Sequence, residues 1–538
     1  MIRSNNKSKQ FILSIQACKK ARTIINSGLF ISTILQVCIE PSLLNFISIF
    51  TVLIISLITF NLVLRAHIIR AVPFPTLVII GYNISYLSGA LIVQSFFLQP
   101  LIINLLVPET TFTYAALFQV SLLISLFVFK NLKFLFISKK INNLIIKPMG
   151  LMQRPTYLQT WLLGLIGLTA MAWSTTNTND AVEYGDAGNK LLDGLMYLVY
   201  APYFLEILDN FSSKQHQEPH LNRATTRVFL TIYTLVLLLL GTILNARGII
   251  ILGIINLGIT ITLLILMGQL EVSKKNIRNC GIAVLLVIFL SPILSDFATA
   301  VVVTRAQKGE ISNMEMLDQT LTAFQNKKEL EEYRELILDL TNQGEYNETY
   351  IPNPFLARFI YTKFLDNMLS LKQICSMQYA LALWDVTLDK ILALMPTPLI
   401  KTLNLNLDKN NLKYSFGDIM YYLETGKGLG GYRVGSTIAH GIGLMGYLVF
   451  IAVIPLFILL FISLQSFVII GNKINLSLLL NLQIMMVFNF GVIDSLVGII
   501  GALLRTLPQS AVIFALIYKA IQIITSLNNK QRLLLHSK

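Results

Sequence analysis

Ile243-Leu244-Asn245-Ala246-Arg247-Gly248-Ile249-Ile250-Ile251-Leu252 is a four-residue polar break between two apolar runs, 226–244 and 249–268. Each run approaches the ~20 residues that an α-helix needs to cross a bilayer. A guanidinium inside hydrocarbon costs several kcal/mol, so Arg247 belongs at an interface, in a polar cavity or beside an anion. Outward from this hairpin the same pattern recurs. Of the 538 residues, 54% are hydrophobic and only 13% are charged, with mean hydropathy +0.67. Soluble proteins carry about 25% charged residues. The runs do not alternate, which excludes a β-barrel, so only self-satisfied helices fit. The fold class expected is an all-α polytopic membrane bundle.

Twelve spans are read, near 24–39, 43–63, 74–97, 113–129, 157–174, 190–208, 226–244, 249–268, 280–302, 438–463, 476–499 and 508–526. The first is short and also suits an interfacial helix. Basic clusters at Lys7 to Arg22, Arg65 with Arg70, Lys130 to Arg154, Lys214 to Arg227, Lys274 to Arg278, Lys473 and Lys530 to Lys538 alternate with loops almost free of Lys and Arg. By the positive-inside rule both termini are cytoplasmic, and Arg247, the acidic loop Ser174 to Gly188 and the hydrophilic stretch 304–437 lie outside. Three units follow: a membrane bundle over 1–303, a loop domain over 304–437 and closing spans over 438–538. No cleavable signal peptide is expected, since the polar, basic N-terminus runs into a span without a small-residue cleavage site.

Residues 304–437 hold 14 basic and 16 acidic side chains, a net of −2, while the rest of the chain carries +16. The overall +14 is therefore a topology signal and an attraction to anionic lipid, not a nucleic-acid footprint. Of the four cysteines (Cys18, Cys38, Cys280, Cys375) only Cys375 is in the loop, and none has zinc-type spacing. Leu317, Leu321, Phe324, Leu330, Tyr333, Ile337 and Leu340 recur at helical spacing. Asn353-Pro354 reads as a helix start, with Leu356, Phe359, Ile360, Phe364 and Met368 on its apolar face. Gly426, Gly428, Gly430 and Gly431 read as a flexible entry to the next span. A small helical cap on the outer face is expected.

No Walker loop, His-Glu-x-x-His or Gly-x-Ser-x-Gly motif occurs. What remains is a set of charged residues expected on the outer face: Arg247, Asp296, Arg305, Arg358, Arg433, His440, Asp494 and Arg505. Forked guanidinium donors suit a phosphate-bearing lipid head group. An acceptor hydroxyl needs a general base, for which His440 or Asp296 are the candidates. Asp296 and Asp494, within apolar spans, equally suit ion pairs between helices. His440 equally suits a satisfied structural role. Arg433 and His440, seven residues apart, fall on one face if a helix already runs between them.

The segment Leu240 to Ile250 resembles the Arg-Gly hallmark of O-antigen polymerases and O-antigen ligases. Arg433-Val434-Gly435-Ser436-Thr437-Ile438-Ala439-His440-Gly441-Ile442-Gly443 resembles their glycine-rich return from a large periplasmic loop. The order matches as well, across roughly 225–470. The resemblance implies a helical bundle of the GT-C type in the bacterial inner membrane, with a periplasmic loop domain. It implies a polymerase that joins undecaprenyl-diphosphate-linked oligosaccharide repeat units without cofactor or metal. Arg247, Arg433, Arg358 and Arg305 would bind the donor diphosphate, with His440 or Asp296 catalytic. Membrane lipids, a chain-length regulator and a flippase would be its partners, and nucleic acid would not. A ligase, a transporter or flippase of lipid-linked glycans, and a non-catalytic envelope scaffold are the alternatives. Inverted or parallel repeats expected of a transporter are not visible.

Overall fold

The computed structural model describes residues 2–176, 194–211, 223–243, 248–271, a few positions between 293 and 304, 313–342 and 346–536, apart from 354–355, 373, 396, 406, 408–411 and 472. The described chain is mostly helical. Seven helices are long and apolar enough to cross a membrane: Lys9–Ile39, Leu43–Val63, Pro73–Phe96, Pro108–Asn131, Ala224–Gly241, Thr437–Gln465 and Leu496–Ser526. Shorter apolar helices cover Met196–Leu208 and Leu252–Leu266. The molecule is a helical membrane bundle, and among the described residues seven helices, not twelve, meet that standard.

The span expected over 280–302 lies almost wholly outside the described residues, and several of the other differences have local causes. The first helix, α1 (Ile2–Ile39), runs unbroken from near the N-terminus instead of starting at 24. Helix α2 (Leu43–Val63) matches its apolar run, with Ser42 as N-cap accepting the Asn45 N–H. After α3 (Pro73–Phe96) and α4 (Pro108–Asn131) comes α5 (Tyr157–Thr176). The span expected over 190–208 is a 3₁₀ helix, Met196–Phe211, with Pro202 inside it. The hairpin helices are α6 (Arg223–Ile243) and α7 (Gly248–Leu266).

The span expected over 476–499 is broken into Leu478–Leu482 and Ile484–Phe488, followed by turns. A side chain from α7 meets the break. Asn256 donates to the Leu482 carbonyl (2.7 Å) and accepts the Met485 N–H (3.0 Å). Backbone freed from a helix at membrane depth is tolerable when protein satisfies it in this way. A two-stranded antiparallel hairpin, Val468–Ile470 with Ile474–Leu476, precedes it.

The hydrophilic stretch forms α8 (Asn313–Gln325), α9 (Lys327–Asn342), α10 (Thr362–Leu369), α11 (Met377–Leu392) and α12 (Phe416–Thr425). Asn353 accepts the Leu356 N–H (3.2 Å) as expected, but the helix it opens is a single 3₁₀ turn that breaks before α10. Leu365, Met368, Tyr379, Leu383 and Phe416 belong to the same buried core as the spans. The C-terminal part is α13 (Thr437–Met445), α14 (Val449–Gln465), α15 (Leu496–Gly501) and α16 (Leu507–His536).

Polar contacts sort the connections into two ends. At one end Asp366 accepts the Leu106 (2.8 Å) and Val107 (2.8 Å) N–H groups and the Thr111 hydroxyl (3.2 Å). Its partner Lys363 lies at 3.0 Å and also donates to the Asn104 carbonyl; the two side chains are 4% and 0% exposed. Tyr350 donates to the Leu101 carbonyl at 2.6 Å. At the other end Arg70 donates to the Met267 carbonyl, Lys9 pairs with Glu271 (2.7 Å) and Gln465 donates to the Ala71 carbonyl (2.9 Å). The basic connections near Lys9, Arg70 and 267–271 thus share an end, and the loop 98–107 shares the opposite end with α10.

Candidate functional site

The site is built where α11 and α12 meet the re-entrant C-terminal segments. Ser415 caps α12 by accepting the Asp418 N–H (3.0 Å), which fixes Phe416 at the first turn. Ser495 caps α15 by accepting the Gly498 N–H (3.2 Å). The turn and bend residues before it are anchored by Thr437, whose N–H reaches the Ile493 carbonyl at 3.2 Å. The helix then widens into a π turn, Ala502–Thr506, that carries Arg505. These elements border an open cavity of about 530 Å³ lined by Lys390, Phe416, Asp494, Ser495, Arg505 and Gln509 among others.

Two cations and one carboxylate therefore share the cavity. The Lys390 ammonium donates to the carbonyls of Leu412 (3.0 Å) and Tyr414 (2.5 Å) and lies 4.8 Å from the centre of the Phe416 ring. An ammonium has three N–H donors, so these two carbonyls leave one uncommitted to a carbonyl. Burial lowers the Lys390 pKa, and the Asp494 charge opposes that shift. Asp494 accepts the Ser495 hydroxyl at 3.2 Å. Arg505 donates from Nε to Gln509 at 3.4 Å, and among the described residues no side chain takes its terminal nitrogens. An ammonium and a guanidinium fork around one space suit a phosphate-bearing ligand, and the carboxylate beside them suits a proton acceptor.

His440 lies behind the cavity wall, not on it. Its side chain is fully buried. Nδ1 accepts the Leu496 N–H (3.2 Å), and Nε2 meets the Thr387 hydroxyl at 3.0 Å. Thr387 spends its own proton on the Leu383 carbonyl (2.6 Å), so Nε2 is the protonated nitrogen and both ring atoms are occupied. The ring packs on Phe416, centroids 4.3 Å apart. This geometry gives His440 a positioning role and leaves it no free lone pair for a substrate.

Arg433 is likewise engaged, and it does not share a helix face with His440 because α13 starts only at Thr437. Its guanidinium lies 4.1 Å from the Tyr421 ring and 4.9 Å from that of Tyr346, and it donates to the Gly428 carbonyl (2.6 Å). Asp418 pairs with it at 3.4 Å and accepts the N–H groups of Tyr432 (3.0 Å) and Arg433 (3.1 Å). The glycine-rich entry is a wrapped loop: Gly428 has φ +87°, and a Cβ there would stand 2.8 Å from the Arg433 guanidinium. Arg358 is exposed on the Leu356–Phe359 turn, and half-buried Asp296 precedes Phe297, which packs on Phe324 of α8. Neither lines the cavity. Arg247 and Arg305 lie outside the described residues.

Asp494 and Arg505 stand out in the sequence as charges within apolar runs. Lys390 does not, because a lysine between Asp389 and an apolar helix face reads as ordinary surface. No protein-family model matches the chain, and neither does any curated protein or solved structure.

Proposed function

We propose that the protein is a membrane glycosyltransferase that polymerises lipid-diphosphate-linked oligosaccharide repeat units on the outer face of the bacterial inner membrane. The observation that carries this reading is the cavity at the junction of loop and bundle, which presents Lys390, Arg505 and Asp494 to one space. Lys390 and Arg505 bind the donor diphosphate, with Arg247 as a further donor contact. Asp494 takes the role for which the sequence suggests His440 or Asp296. It accepts the proton of the acceptor hydroxyl as that oxygen attacks the anomeric carbon. The bond from that carbon to the diphosphate breaks, and the lipid diphosphate leaves with the electron pair. Charge stabilisation of this kind, placed where negative charge develops, is the largest single contribution available to such a site.

The experiment is chain growth by purified protein in liposomes supplied with a synthetic lipid-diphosphate repeat unit. Lys390→Gln and Arg505→Gln should each leave single repeat units unpolymerised, with the protein folded and at normal level. Normal chain growth in both would remove the cavity from the reaction. A ligase would instead pass the glycan to a different acceptor, a flippase would move the substrate without joining it, and a scaffold would do neither.

A further inference from the structure

Helix α11 has three faces. One packs inward, with Tyr379, Leu383 and Thr387 buried. Gly443 of α13 makes this approach possible, since a Cβ there would stand 2.9 Å from Leu383 Cδ2. The second face is polar and exposed, with Asp385 and Asp389. The third is apolar: Met377 (75% exposed), Leu381 (55%), Trp384 (37%) and Leu388 (49%). Their spacing of four, three and four places them on one stripe. No described residue covers it, and an apolar stripe of this kind facing water marks an interaction surface.

Its neighbours say what covers it. The Trp384 indole N–H donates to the Leu444 carbonyl at 3.1 Å, which sets the stripe beside α13 and α14. On that candidate span Tyr447, Leu448 and Ile451 are 68%, 65% and 67% exposed, as side chains facing lipid are. Tyr447 shares a hydroxyl hydrogen bond (2.9 Å) with Tyr114 of the candidate span Pro108–Asn131. Two tyrosines and a tryptophan at one level form the amphipathic belt found at membrane interfaces. We propose that α11 is an interfacial helix, with lipid acyl chains covering its apolar stripe and Asp385 and Asp389 facing water. The stripe is continuous with the lipid-facing surface of α14, and the acidic flank sets how deep the helix sits.

The same helix delivers Lys390 to the cavity. Resting on the function proposed above, this makes α11 the wall between bilayer and site. A lipid-anchored diphosphate reaches Lys390 while its hydrocarbon chain stays in the membrane.

The test is site-directed spin labelling of the full chain in liposomes of phosphatidylethanolamine and phosphatidylglycerol, with Cys18, Cys38, Cys280 and Cys375 replaced by alanine. Single labels go on Leu381→Cys, Leu388→Cys, Asp385→Cys and Asp389→Cys, with Ile451→Cys as the lipid-facing reference. Leu381→Cys and Leu388→Cys should match the reference, open to oxygen and closed to a water-soluble nickel chelate. Asp385→Cys and Asp389→Cys should show the reverse. Nickel access at Leu381→Cys equal to that at Asp385→Cys would place the stripe in water and overturn the proposal. Poor access to both reagents would mean that a protein partner or a second copy covers it, which also overturns it. Met377→Cys reads the same stripe if a central label disturbs folding. The readout does not depend on chain growth, so an inactive protein with a lipid-covered stripe would end the polymerase reading and leave α11 where it is.

Discussion

The backbone N–H of Leu496 points at Nδ1 of His440, 3.2 Å away, and this contact ties the start of α13 to the start of α15. Because Ser495 and Asp494 immediately precede Leu496, the imidazole fixes the cavity's carboxylate from behind. Its other nitrogen holds Thr387, one helical turn from Lys390 along α11. One buried ring thus sets the relative position of two charged groups that it does not itself touch.

His440→Gln should therefore keep chain growth within a few-fold of wild type, since an amide supplies one donor and one acceptor. A catalytic base lost at this position would cost ~10²–10⁴-fold. His440→Leu should instead lower thermal stability by about 1–3 kcal/mol, because it leaves the Leu496 N–H buried without an acceptor. A loss of activity in His440→Gln at unchanged melting temperature would return His440 to the chemistry.

Asp366→Ala should loosen the docking of α10 on the connection 98–107. The carboxylate accepts two N–H groups, a hydroxyl and the Lys363 ammonium, all away from water. Removing one partner of such a pair typically costs about 3–5 kcal/mol, since the other charge stays buried. Limited proteolysis of the protein in detergent should show faster cleavage within 346–376. An unchanged cleavage rate would mean that the pair is not what holds α10.

The shared end of 98–107 and α10, opposite Lys9 and Arg70, predicts how reporters behave. Alkaline phosphatase fused near residue 345 should be active and fused near residue 215 inactive, as the basic clusters require. The reverse pattern would invert the protein and discard the reading of an outer-face site.

Unbroken runs of apolar residues were the legible part of the fold. Helix α2 matches its run because nothing in 43–63 competes with a helix. The stretch 476–499 is also largely apolar, though it carries Asn481, Gln483, Asn489 and Asp494, and its break is stabilised by Asn256, more than 200 positions away in the chain, which satisfies the freed backbone. Such a partner has no signature in local composition. The site follows the same logic. Asp494 and Arg505 are conspicuous as charges in apolar surroundings, whereas Lys390 becomes special only because α11 docks on α13. Arg433 and His440 lie in one of the two segments that resemble the polymerase and ligase family, and the fold uses both to brace Asp418, Phe416 and Leu496 around the cavity.

Lys390 provides the last and most specific test, through pH. Burial holds its pKa below the ordinary lysine value, and Asp494 limits the drop. A lysine whose pKa is depressed on folding carries its burial cost while both states are protonated. As pH rises through the folded pKa the native state sheds its proton first, so this group's contribution to stability improves until the unfolded pKa is passed. Diphosphate binding has the opposite dependence, because it needs the ammonium. Chain growth at subsaturating donor should therefore decline on the alkaline side at a pH below that of a free lysine. Lys390→Arg keeps a charge that does not titrate and should move the decline to higher pH. Asp494→Gln removes the carboxylate that supports the ammonium, and residual donor binding, measured by titration calorimetry, should weaken at lower pH than in wild type. An alkaline limb that ignores both substitutions would mean that Lys390 does not meet the donor, and the cationic part of the site would then rest on Arg505 alone.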